Sequence, residues 1–228
     1  MARFLIYSLN NDLTMGQLEY LITTGDLNTL NQLLAQNPDL AKNAVSEDVS
    51  PLMLSCYYKR PDATSLLLKY LDKINIFEAA AAGKFDILAY LVYTNPELVH
   101  QHNEDGFTPL ALACYFGQYE AARYLIFKGA NVNQPLSGKS GICPIHLAVA
   151  QNHLDIVRML MEHNVQINIQ HHTGITPLHY AAKHGDPDML VLLLEDGADI
   201  TIAMEDGSLP ADLARENGYD EIADILSI

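Results

Sequence analysis

The chain has 228 residues, with 13 lysines and arginines against 28 acids and a formal net charge of −15. No basic stripe exists to neutralise phosphates, which argues against direct nucleic-acid binding, and no apolar run approaches the roughly 18 residues of a membrane span. The short run Phe4-Leu5-Ile6-Tyr7 is too brief for a signal-peptide core and lacks a small-residue cleavage site, so the expectation is a cytoplasmic protein without a membrane anchor.

In chain order, the apolar residues fall into short helical segments divided by turn residues. Residues 1–14 read as an N-terminal segment, and 15–228 as the folded domain. Gly25 separates apolar stretches at 18–22 and 27–34, the first helix pair. Ser50-Pro51 opens the second, because serine caps a helix and proline costs nothing at the first helical position. Lys59-Arg60-Pro61-Asp62 then turns into a helix carrying Leu66, Leu67 and Leu68. Gly83 divides 76–82 from 85–92. Four further pairs are marked by Pro109 with Gly117, Pro144 with Asn152, Pro177 with Gly185 and Pro210 with Gly218, the turn residue always eight positions after its proline.

Pro144, Pro177 and Pro210 are spaced by 33 residues, while Pro109 and Pro144 are 35 apart. The two extra residues fall in Gln134-Pro135-Leu136-Ser137-Gly138-Lys139-Ser140-Gly141, which reads as a longer loop tip. From Pro51 to Asn75, the matching position of the third pair, there are only 24 residues. A direct connection through Asp72-Lys73-Ile74-Asn75, with no projecting hairpin, is expected there. A unit of this size cannot bury its own apolar face, so its recurrence implies stacking.

The sixth unit is the most complete. Thr176 is an N-cap, Pro177 takes the first helical position, and His179 can reach back to Thr176 as the acid of a capping box would. Gly185 can end that helix in the left-handed conformation, Asp186-Pro187 opens the next, and Leu193-Leu194-Glu195-Asp196-Gly197-Ala198-Asp199-Ile200 follows. These residues resemble the ankyrin repeat, and the resemblance runs from about Met15 to Leu226. It implies an all-α ankyrin-repeat solenoid of about seven helix-turn-helix units with short β-hairpin-like tips, the first and last acting as caps. It also implies a non-enzymatic protein–protein interaction module: an adaptor, scaffold or inhibitor. Leu178, Ala181, Leu190 and Leu193 should then be buried. The first and third units depart from the pattern, ending in Asn37-Pro38-Asp39-Leu40 and Asn95-Pro96-Glu97-Leu98.

Three cysteines fit no zinc spacing, and an odd count argues against a disulfide framework. Cys56 and Cys114 stand where Ala182 stands in the sixth unit, a small position expected to be buried, and Cys143 replaces the capping threonine. Of nine histidines, His146 and His179 occupy the repeat's own histidine position, and His153 follows an inter-helix turn. His171, His172 and His184 are the alternative reading, a metal- or small-molecule-binding site near one tip. Asn133 and Asn168 match the hairpin asparagine that hydroxylases modify in some proteins of this family. No nucleophile elbow, phosphate loop or zinc-protease motif occurs, so no catalytic residue, metal or cofactor is expected. Residues 186–228 hold twelve acids against one base, Arg215, and so carry −11 of the −15. That end reads as a polar cap, or as an attraction for a basic partner.

Resemblance to the family places a binding groove along the tips and the C-terminal halves of the first helices. The side chains just before each inter-helix turn are Tyr57-Tyr58, Ala81-Ala82, Tyr115-Phe116, Ala150-Gln151, Lys183-His184 and Glu216-Asn217. Two aromatic pairs flank an alanine pair, which suggests a shallow apolar saddle, with Phe107 extending one wall. The expected protein-binding residues are therefore Tyr57, Tyr58, Ala81, Ala82, Phe107, Tyr115, Phe116, Gln151, Lys183 and His184. The partner is a protein of unidentified kind, and the chain alone is expected to be a monomer. A secreted effector is the other role such a chain could fill.

Overall fold

The computed structural model describes residues 16–43, 49–138 and 141–227. The expected N-terminal segment 1–14 lies outside them. Among the described residues the fold is all-α, with fourteen short helices in seven pairs, and no helix is long and apolar enough to cross a membrane. The chain divides into two compact units, Met1–Ala82 and Gly83–Ile228, which are taken in turn.

The first unit contains α1 (16–24), α2 (Leu27–Gln36), α3 (Pro51–Tyr57), α4 (Pro61–Leu67) and α5 (Ile76–Ala81). Leu18, Leu21 and Ile22 on α1 and Leu30 and Leu34 on α2 recur at three- and four-residue spacing, and all five are buried. Asp26 caps α2 through the Thr29 amide, and Ser50 caps α3 through the Met53 amide. The Asn-Pro-Asp-Leu end becomes a 3-10 turn, Pro38–Ala41, because proline at its first position fixes φ while Asn37 stays outside the helical region. Buried Ser55 and Thr64 join α3 to α4 through a 2.8 Å hydroxyl pair. A 3-10 turn, Leu68–Tyr70, ends α4, and residues 71–75 lead straight to α5 with neither strand nor turn between. Asn75 and Glu78 form a reciprocal capping box that starts α5 at the point where the hairpin is missing. Leu66 and Leu67 are buried, whereas Leu68 is half-exposed.

The second unit contains α6 (Phe85–Thr94), α7 (Pro109–Tyr115), α8 (Tyr119–Phe127), α9 (Pro144–Ala150), α10 (Leu154–Met161), α11 (Pro177–His184), α12 (Pro187–Glu195), α13 (Pro210–Glu216) and α14 (Asp220–Ile225). α7, α9, α11 and α13 stack as one row, and α6, α8, α10 and α12 as a second. The first row approaches closely because its inner positions are small: Ala111, Ala113, Cys114, Ala148, Ala181, Ala182 and Ala214 are all buried. Leu178, Ala181, Leu190 and Leu193 are buried as the pattern requires. After α6 the sequence Asn95-Pro96 again produces a 3-10 turn, Pro96–His100.

Among the described residues of the second unit, four tips project between the pairs. Three are five-residue turns closed by matching bonds, from the Asn103 amide to Phe107 O, His171 to Ile175 and Met204 to Ser208, at 2.9–3.1 Å. The fourth spans Leu136 to Ile142 and closes at 2.8 Å, so the two extra residues do lengthen this tip. Lys139 and Ser140 within it lie outside the described residues. Neighbouring tips are tied by Ser137 N–H to Gly106 O and by Glu205 N–H to Thr173 O.

The inter-helix turns need a left-handed residue, and Gly117 and Gly185 show why glycine serves. Their φ values are 71° and 65°, and a Cβ on Gly117 would lie 2.5 Å from the His153 ring. Asn152 and Lys59 hold the same conformation at φ 60° and 52°. Asparagine tolerates it, while lysine does so rarely.

Cysteine placement needs one correction. Cys114 and Cys143 are buried, but Cys56, near the C-terminal end of α3, is only half-buried. Burial pushes the Cys143 thiol up to about 11, a poor nucleophile at neutral pH.

Candidate functional site

Side chains left uncommitted by the repeat gather where the first helices end. In the first unit, Tyr57 and Tyr58 sit on the last turn of α3, 36% and 51% exposed, and the Tyr58 amide closes that helix on Leu54 O. Ala81 is buried, 1% exposed, and Ala82 half-buried. Ala81 therefore offers no side-chain surface: a methyl group on the inner side of α5 belongs to the packing, and the proposed alanine floor reduces to Ala82.

In the second unit, Phe107, Tyr115 and Ile142 are half-buried against Ala111, Leu136 and Leu147. The longer tip supplies Leu136 and Ile142, so it covers part of both aromatics. Phe116 stacks edge-on against Tyr115, with centroids 4.9 Å apart at 88°, the arrangement that ring quadrupoles favour. Gln151 is half-buried at the end of α9. Lys183 and His184 are exposed on the last turn of α11, where a cation complements the helix C-terminus.

The histidines have well-defined work. His146 Nδ1 accepts from the Cys143 amide at 3.0 Å, and its Nε2–H faces Ile169 O and Ile175 O at 3.1 and 3.3 Å. An amide on one nitrogen and carbonyls on the other require the neutral Nε2–H tautomer. Burial, then the neighbouring His171, pushes its pKa down to about 4. His179 repeats the device, accepting from the Thr176 amide at 3.1 Å and facing Ser208 O at 3.4 Å. Burial likewise lowers its pKa, opposed by the Ser208 carbonyl and Asp206. These two rings staple each tip to the following one.

Of the three histidines of the alternative reading, His171 keeps His172 as a neighbour and adds His146 and Tyr180. Its ring lies 5.6 Å from His146, 5.3 Å from His172 and 6.2 Å from Tyr180, and its Nδ1 accepts from the Thr173 amide at 3.2 Å. At the matching position of another tip, Asn103 Oδ1 accepts instead from the Phe107 amide, four residues on, at 2.7 Å. Among the described residues no group of three or more histidines, cysteines or acids is arranged to hold a metal ion. Asn133 and Asn168 bridge successive units, accepting from the Gln166 and Asp199 amides and donating to Asn164 O and Gly197 O.

Several C-terminal acids serve the local fold. Asp186 caps α12, Asp212 caps α13 through the Leu209 amide at 2.9 Å, and Asp199 and Asp206 close turns on Thr201 and Ser208. Those turn hydrogen bonds hold Asp199 and Asp206 below the usual carboxylate range. Arg215 lies 3.7 Å from Asp212 and 4.0 Å from Asp224.

Two features escaped the sequence reading. A polar cleft of about 590 Å³ in the first unit, lined by Lys42, Ser50, Asp72, Lys73, Asn75 and Glu78 among others, lies beside the connection that lacks a tip. The second is an aromatic band on the outer row of the second unit, where Tyr90, Tyr93 and Phe127 are 66%, 83% and 80% exposed. Its signal was present: Tyr93 and Phe127 both follow the turn glycine by ten residues, where Glu162 and Glu195 stand in later units.

Family descriptions for ankyrin repeats match residues 76–126 and 135–204. The chain belongs to the ankyrin-repeat family. Its repeats are 31% identical over 130 residues to alpha-latrocrustotoxin-Lt1a of Latrodectus tredecimguttatus, covering 54% of this chain and 9% of the toxin. They are 37% identical over 73 residues to the human DNA-binding protein RFXANK, 32% of this chain and 28% of that protein. To mouse Rabankyrin-5 they are 37% identical over 68 residues, 29% of this chain and 6% of that protein. Each match thus spans well under two thirds of the relative, and what is shared is the repeat. Ankyrin repeats are in general protein-interaction modules without catalytic activity.

Proposed function

We propose that this ankyrin-repeat chain is a non-enzymatic protein-binding module, an adaptor, scaffold or inhibitor acting in the cytoplasm without cofactor. Its protein partner docks on the ends of the first helices and the adjoining tips. The observation that carries the reading is the exposure of Tyr58, Lys183 and His184 at equivalent helix ends, where the repeat's packing leaves side chains unconstrained. Large aromatics in such positions are typical binding anchors. The further residues assigned to binding are Tyr57 and Ala82 in the first unit, where Ala81 is buried, and Phe107, Tyr115, Phe116 and Gln151 in the second. The acidic charge argues against carrying over the nucleic-acid role in the name of one relative.

Affinity capture followed by quantitative binding tests this, with Tyr58→Ala and Phe116→Ala examined separately. Each should weaken the captured partner by about tenfold or more, as truncating an interface anchor does, without changing the helical circular dichroism. The control is Lys183→Ala with Glu216→Ala. Loss of binding in the control, with both aromatic variants unchanged, places recognition on charge and refutes the aromatic reading.

A further inference from the structure

We propose that two copies of this chain pair through the outer face of α6 and α8 in the second unit. This goes beyond the partner-binding reading and uses the opposite helix row. Tyr90 and Tyr93 lie three residues apart on α6 and so share a face. Phe127 holds on α8 the register that Tyr93 holds on α6, and the helices are joined by Phe85 edge-on to Tyr124 at 5.4 Å. Lys128 covers one side of the band, its Nζ 5.4 Å from the centroids of both Tyr124 and Phe127. The stripe is therefore ordered, and nothing in the repeat requires it. At the register of Tyr93 and Phe127 the later units carry exposed Glu162 and Glu195, the residues a solvated helix face calls for.

Area and charge both select the occupant. At about 200 Å² per aromatic side chain, the exposed fractions of Tyr90, Tyr93 and Phe127 leave roughly 450 Å² uncovered, and Phe85 and Tyr119 add about 150 Å². A monomer's largest apolar patch is seldom bigger than this, roughly 300–600 Å². Two such faces together bury about 1,200 Å², the lower end of what a stable specific interface needs. Residues 186–228 hold −11 of the net charge of −15, and that end repels its own copies. The α6–α8 face lies outside that acidic end, and there Lys84, Arg123 and Lys128 balance Asp86 and Glu120. A near-neutral, mixed-sign patch has no preference for a basic or an acidic partner, and it can meet its own copy about a two-fold axis without a like-charge penalty. The dimer replaces the monomer expected from the repeats alone.

Sedimentation velocity of the full chain across the micromolar range tests the pairing. Wild type should move from monomer to dimer as concentration rises, while Tyr93→Glu with Phe127→Glu stays monomeric throughout, a dissociation constant at least tenfold weaker. These substitutions copy what positions 162 and 195 already carry, so the helical spectrum should be unchanged. Should the double variant lose that spectrum, Tyr93→Gln alone supplies the measurement and should still weaken the dimer. Tyr58→Ala should dimerise as wild type does. A wild type that remains monomeric overturns the proposal, as does a well-folded double variant that pairs normally. A Tyr58→Ala chain that cannot pair overturns it too, by moving the contact off this face.

Discussion

The two compact units hold the same kind of helix pair by different means. In the second, tips are tied by backbone bonds between neighbours and stapled by His146 and His179. In the first, among the described residues, the connection at 71–75 forms no tip, and single side chains join neighbouring pairs: Arg60 to Thr23 O, Tyr70 to Asn31 and Ser50 to Glu78. Beneath that difference runs one shared device. At four of the turns the residue after the left-handed position packs over the turn glycine of the preceding helix pair, as Arg60 does on Gly25 and Gln118, His153 and Tyr219 do on Gly83, Gly117 and Gly185. The turn-on-turn contact thus recurs in both units, while the tip bonds of the second give way to isolated side-chain hydrogen bonds around 71–75 in the first.

The largest expected effect breaks the second unit's core. Leu193→Ala removes a fully buried side chain and should cost roughly 2–5 kcal/mol. The denaturant midpoint should fall accordingly; an unmoved midpoint would show that the helix register of α12 is wrong.

Acid separates the two units next, because all nine histidines lie in the second. His146 has its pKa lowered from 6.5 to about 4, so between those values the unfolded chain takes up a proton that the folded one refuses. Its contribution is complete above about pH 6.5 and is lost as pH falls towards 4, on the order of 3 kcal/mol in all. His171, lowered by burial and then by His172 and His179, and His179 itself act in the same direction. Hydrogen exchange between about pH 7 and pH 4.5 should show the Cys143 and Thr176 amides losing protection. The Glu78 amide, capped by Asn75, should keep its own. Equal loss in both units would mean that carboxylates, not these histidines, govern the response.

What the sequence disclosed follows from the kind of constraint involved. Pro109, Pro144, Pro177 and Pro210 and the turn residues eight positions on are backbone requirements, and each was legible alone. His179 was legible because a ring at that spacing has one partner within reach. Burial of Ala81 was not, since it depends on neighbours that residues 81 and 82 do not name. Phe107 and Tyr115 lost exposure to Leu136 and Ile142, residues of an insertion whose path the sequence leaves open. Tyr58, Lys183 and His184 are exposed at the helix ends, where a short capped helix leaves its last side chains few directions to point. The outer aromatics needed a comparison of one register across units, which the groove-centred reading did not make.

The smallest expected effect probes the contact that both units share. Arg60 Nε donates to Thr23 O at 3.1 Å, and that carbonyl lies in the last turn of α1, where the helix itself supplies no partner. His153 makes the equivalent bond to Tyr115 O at 3.2 Å in the second unit. Arg60→Ala removes a charge-assisted hydrogen bond and the cover over Gly25, a loss of about 1.5–3 kcal/mol at the upper limit, less for a half-exposed site. Arg60→His should recover part of it, since an imidazole already performs this task between α7 and α10. Thermal melts of the wild type and the two variants give the comparison. If alanine and histidine lower the midpoint equally, the turn-on-turn contact in the first unit depends on the guanidinium alone, and the shared device is confined to the second unit.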